Sequence, residues 1–246
     1  MQASRKFKFT LFILVLVPVG IVVLGVDDLR CWRQLATARQ ALQNRDAEEA
    51  LQAATLAARL SPRNGEAHFT RARAFRRQGQ LAHVRESLEL AAKLGVARDR
   101  IRREEWLALA QAGQMKEARP HLSELLVNPG DEGPEICEAY VNGYFLTFQL
   151  AEAFQILDAW EKDFPSDAQP HVFRAVFCSK AANWNATAKH LRRARQLAPN
   201  RIDIRIELAS TLLVLQETEE AAKLFEDVGK TKPDNLEVQV GWAQVQ

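Results

Sequence analysis

The sequence predicts an all-α chain: a solenoid of about six helix-turn-helix units behind a single membrane-spanning helix. Three observations carry that expectation. Pro165, Pro199 and Pro233 recur every 34 residues, and proline lacks the backbone donor that a continuing helix needs. Ala153, Thr187 and Ala221 keep the same interval, as do Leu157, Leu191 and Phe225, and a period of roughly 20 to 50 residues marks a repeat architecture. Alanine and leucine dominate a composition that is 47% hydrophobic, with no β-branched run outside the N-terminus, so helix is the default state.

The N-terminal element divides in two. Residues 1–8 form a basic tail carrying Arg5, Lys6 and Lys8, and residues 9–26, FTLFILVLVPVGIVVLGV, carry no charge. As a helix those eighteen residues span about 27 Å, near the lower limit for a bilayer. The apolar run exceeds the roughly 7 to 15 residues of a signal peptide, which favours a retained anchor. Positive charge before it and Asp27 and Asp28 after it place the N-terminus in the cytoplasm and the repeats outside. The alternative is a secreted or periplasmic chain after cleavage near Val23-Leu24-Gly25.

Repeat starts then fall at Cys31, Gly65, Asp99, Pro134, Ala168 and Ile202, in steps of 34, 34, 35, 34 and 34. The one extra residue falls near VNPGDEGPE, a loop composition in which an insertion costs little. Every unit shows two apolar-periodic stretches joined by a short turn. A lone helical hairpin leaves one apolar face bare, so each pair must stack on the next. Small residues recur where helices would cross: Ala38, Ala72, Val141, Ala175 and Ala209 at the eighth place, and Ala50, Val84, Ala118, Ala153, Thr187 and Ala221 at the twentieth. Trp106 departs from this rule and disturbs the third unit. Gly79 and Gly113 suit a left-handed turn.

These residues resemble the tetratricopeptide repeat family over residues 31–235, with the closing proline as Pro62, Pro165, Pro199 and Pro233, displaced to Pro129 in the third unit and replaced by Val96 in the second. The resemblance implies a right-handed α-solenoid whose first helices line a concave groove. LEVQVGWAQVQ starts a seventh unit or terminal helix over residues 236–246, an interrupted pattern that leads to the expectation of further chain.

Catalytic signatures are missing from the sequence. The five histidines stand singly, without a metal-ligand spacing, and there is no phosphate loop or nucleophile elbow. Adjacent carboxylates such as Glu104-Glu105 diverge by about 100° on a helix and read as solvated. Cys31, Cys137 and Cys178 form no CxxC pair and read as small hydrophobes. Asn185-Ala186-Thr187 reads as a helix cap rather than a glycosylation acceptor. No enzyme activity, metal, cofactor or small-molecule substrate is expected, and an extracytoplasmic array excludes nucleic acid as a partner.

The expected function is therefore binding. Residues 27–120 carry 18 basic against 12 acidic side chains, whereas residues 121–165 carry 1 against 9. The groove places of the family, carried over, select Arg39, Arg73, Arg76, Arg77, Arg100 and Arg103 as a basic wall, then Asn142, Phe145 and Phe173 as a more apolar one. Clustered guanidinium groups suit a protein or peptide ligand with an acidic segment. The lysine-asparagine clamp of one subgroup is not supported, since its places read Leu35, Arg39, Thr70, Arg100 and Glu104. The expected protein is a membrane-anchored, non-catalytic interaction scaffold; the alternative is the non-catalytic front of a larger enzyme or envelope assembly complex.

Overall fold

Left-handed backbone recurs along the chain at a nearly constant spacing. Arg45, Gly79, Gly113, Phe148, Ala182 and Gln216 all have φ between 54° and 72°, at successive intervals of 34, 34, 35, 34 and 34 residues. In five of these turns the next amide donates to a carbonyl five residues back at 2.9 Å: Asp46 to Ala41, Gln80 to Phe75, Gln114 to Leu109, Asn183 to Cys178 and Glu217 to Leu212. That bond satisfies a carbonyl which the end of a helix leaves bare, and it reverses the chain for the second helix.

The computed structural model describes residues 27–127, 129, 132–231 and 236–245. The basic tail and the apolar segment of residues 9–26 lie outside the described residues. Helix α1 covers residues 27–43. It is followed by α2 (Ala47–Leu60), α3 (Gly65–Arg77), α4 (Leu81–Lys93), α5 (Arg98–Gln111), α6 (Met115–Ala118), a 3-10 turn (Arg119–His121), α7 (Leu122–Val127), α8 (Gly133–Leu146) and α9 (Leu150–Asp163). Then come α10 (Gln169–Lys180), α11 (Trp184–Leu197), α12 (Ile202–Val214), α13 (Thr218–Thr231) and α14 (Leu236–Val245). No strand occurs among the described residues, and none of their helices is long and apolar enough to cross a membrane.

Side-chain caps start several of these helices. Asp46 accepts from the Glu49 amide at 2.9 Å and Asn64 from the Ala67 amide at 3.3 Å. The cap of α11 is Asn183, which accepts from the Ala186 amide, so the expectation that Asn185 caps is corrected by two residues. Asn185 sits inside the helix on its exposed side.

Two compact units divide the chain. The first takes α1 to α7 together with Asn142–Phe148, the end of α8 and the turn after it; the second takes Pro129–Val141 and the residues from Gln149 onward. In the first unit Cys31, Leu35, Ala57, Ala58 and Ala67 join α1, α2 and α3 in one cluster, and Ala38, Ala53 and Ala54 bring α1 close to α2. Phe69, Ala72, Val84, Leu88, Ala91 and Ile101 continue the core through α4 into α5. In the second unit Ala175, Leu191, Ile204, Leu212, Phe225 and Val238 belong to a core running from α10 to α14. The eighth-place and twentieth-place residues are buried in every repeat, including Trp106 and Val84. Small side chains there allow close helix crossing.

The third repeat deviates. Other second helices run for 13 or 14 residues, but here α6 has only 4 before the 3-10 turn at Arg119-Pro120-His121. Pro120 supplies no amide and its ring crowds the preceding turn. The indole of Trp106 lies flat on the His121 ring, 4.0 Å between centroids and 6° between planes. A ring thus fills the crossing point that alanine leaves open elsewhere.

Candidate binding surface

Three helices of the first unit bring the basic residues together. Arg39 lies on α1, Arg73, Arg76 and Arg77 on α3, and Arg100 and Arg103 on α5. Arg39 and Arg100 share a partner that the sequence reading missed. Glu66, in the first turn of α3, accepts from Arg39 Nη2 at 3.3 Å and, through both oxygens, from Arg100, with Arg100 Nη2 at 3.1 Å and Nη1 on the other oxygen. The Arg100 guanidinium also lies over the Phe69 ring, 4.3 Å from its centroid, an attraction between cation and π-face. Hydrogen bonding from Arg100 holds the Glu66 carboxyl below the usual carboxylate range, so it stays ionised. The signal was present in the sequence: Glu66 and Arg100 occupy the same place in consecutive repeats, 34 residues apart.

Arg76 departs from the expected surface. Its side chain is 0% exposed, and its Nε donates to Glu104 Oε1 at 2.6 Å, with Glu104 also buried. The same bond corrects the reading of Glu104 as solvated. Guanidinium and carboxylate come from adjacent first helices, and each offsets part of the cost of burying the other's charge. Arg73, Arg77 and Arg103 are half-buried, as are Asn142 and Phe145 on α8.

In the second unit the expected aromatic also turns inward. Phe173 is buried, with its ring 6.0 Å from that of Trp160. The exposed apolar residues on α10, α12 and α14 are instead Val176 at 43%, Val214 at 54%, and Leu236 and Val240 at 74% and 57%. Arg174 on α10 binds Asp158 and lies 3.4 Å from Glu161 of α9. His171 faces Glu161 at 3.6 Å and stacks near His190 at 5.9 Å.

A cavity of about 310 Å³ lies between α4 and α5, floored by Leu81, Val84, Leu88, Ala108, Leu109 and Ala112. One repeat earlier, the places of Leu109 and Ala112 hold the larger Phe75 and Gln78. Among the described residues no cluster of three metal-ligating side chains occurs. Burial pushes the Cys137 thiol up to about 12 and raises that of Cys31, which keeps both protonated and unreactive at neutral pH.

The tetratricopeptide repeat family matches residues 180–240. That stretch runs from the end of α10 into α14 and includes two of the left-handed turns, at Ala182 and Gln216. Among solved structures, the chain is similar to PilW, a widely conserved type IV pilus biogenesis factor: 14% identity over 85% of this chain and 97% of that one, with a TM-score of 0.53. It is also similar to yeast Tom70, at 17% identity over 80% of this chain and 43% of that one, with a TM-score of 0.52. At such identities the likeness establishes the fold, an all-helical tetratricopeptide-like solenoid. A comparison with curated proteins gives no match.

Proposed function

We propose that this chain is a non-catalytic protein-interaction scaffold that holds a peptide or protein segment against the first helices of its repeats. Residues 9–26 tether it to a membrane, with the repeats on the extracytoplasmic side. The observation that carries the reading is the presence of solvent-exposed aliphatics on each of the first helices α10, α12 and α14, at Val176, Val214 and Val240. Those helices bury their other faces in the shared core. Exposed aliphatics repeated on successive first helices suit apolar side chains of a bound segment, and the arginines of the first unit suit acidic residues of a ligand.

The test places a photo-crosslinking amino acid in the full-length chain at Val176 or Val214, and, for comparison, at Glu219 on the exposed side of the second helix α13. Crosslinked partner bands are expected from α10 and α12 and not from α13. Equal labelling from all three positions, or none from the first helices, refutes the reading. Loss of the chain from the membrane fraction on deleting residues 9–26 tests the tether separately.

A further inference from the structure

Two guanidinium groups from different repeats converge on one carboxylate in the first unit, and that carboxylate belongs to the protein. Arg39 reaches Glu66 from α1, while Arg100 reaches it from α5 with a two-point grip. Such parallel bonding is the geometry by which arginine recognises any carboxylate. We propose that Glu66 is a built-in plug, which occupies the carboxylate site of the first unit until an acidic segment of a partner protein displaces it. This rests on the reading of the repeats as a peptide-binding surface and adds the chemistry and the control of one part of it.

Three observations support an exchangeable plug rather than a fixed staple. The pair is open to solvent: the side chains of Arg39, Arg100 and Glu66 are 52%, 46% and 35% exposed. Exposed ion pairs of this kind contribute little to stability, so releasing Glu66 costs little. By contrast the ion pair of Arg76 with Glu104, one turn further along α5, is sealed from water and cannot exchange in this way. Second, Arg100 has a support independent of Glu66, the Phe69 ring beneath it, which keeps the guanidinium in place when the carboxylate leaves. Third, two positive groups face one negative group. The site keeps a net positive charge with Glu66 in place, and an incoming carboxylate is attracted before the exchange begins.

Removing the plug while keeping the arginines should therefore open the site. The probe is a fluorescein-labelled hexaglutamate peptide, titrated by fluorescence anisotropy at low ionic strength into the detergent-solubilised full-length protein. Glu66→Gln and Glu66→Ala are each expected to bind it about threefold to fivefold more tightly than the wild type, the effect of no longer having to displace one exposed ion pair. Adding Arg100→Gln to Glu66→Gln should return affinity to the wild-type level. If both Glu66 variants bind as the wild type does and only their melting temperatures fall, Glu66 is a structural bridge and the proposal is wrong. Tight binding that persists without Arg100 also overturns it. Crosslinking from α10 and α12 reads a different unit of the chain, so the scaffold reading stands or falls apart from this result.

Discussion

Removing the Glu104 carboxylate breaks a buried ion pair. Arg76 is 0% exposed and Glu104 is 3% exposed, and their contact is 2.6 Å. With Glu104→Ala the guanidinium keeps its charge, because arginine does not deprotonate in a protein, and it loses the 2.6 Å contact that offsets part of its desolvation. The expected loss is about 3 to 5 kcal/mol of unfolding free energy. The double variant Arg76→Met with Glu104→Leu removes both charges and keeps most of the volume, so it should lie within about 1 kcal/mol of the wild type or above it. Urea unfolding of the full-length protein in mild detergent, followed by circular dichroism, measures both. If Glu104→Ala is as stable as the wild type, water reaches Arg76 and the burial argument fails. If the double variant is as weak as the single, the contact contributes more than the relief of desolvation.

Acidification should weaken the second unit. Burial lowers the proton affinity of both His171 and His190; Glu161 opposes the shift, while Arg174, with Arg193 beside His171 and Lys189 beside His190, adds to it. The unfolded chain therefore binds more protons than the folded one as pH falls through about 6.5, and unfolding free energy drops over that window. The urea midpoint should fall less between about pH 7 and pH 5 in the His171→Gln, His190→Gln double variant than in the wild type. Equal slopes would show that these rings titrate normally. For the cavity beside α5, Leu109→Phe restores the ring that Phe75 supplies one repeat earlier. Filling about 20 Å³ should raise stability by about 0.5 kcal/mol, read as a higher urea midpoint, whereas a lower midpoint would mean that the void is too narrow for a phenyl ring.

The period was legible because solenoid packing imposes it on every unit: a small residue is needed wherever two backbones cross. The left-handed turns were only half legible. Gly79 and Gly113 advertised them, but Arg45, Phe148, Ala182 and Gln216 adopt the same conformation without glycine's freedom. There the packing of two helices overrides local preference, at a cost of about 1 kcal/mol for each turn. Trp106 signalled an irregular third repeat, while the proline that breaks its second helix, Pro120, went unread. The arginine wall was read by place, which locates a Cα without saying where a long side chain ends. Arg76 and Glu104 are 28 residues apart and each looks solvated alone. Only the pairing of two adjacent repeats makes burial of both affordable.

The recurrent left-handed turn bears on how such a chain changes length. Cutting at one turn and rejoining at the next leaves ends already shaped to meet, with the same amide-to-carbonyl bond ready to form. Unequal recombination can then add or drop a module without inventing new loop chemistry. The module holding Trp106 is the exception, since its ring must travel together with His121.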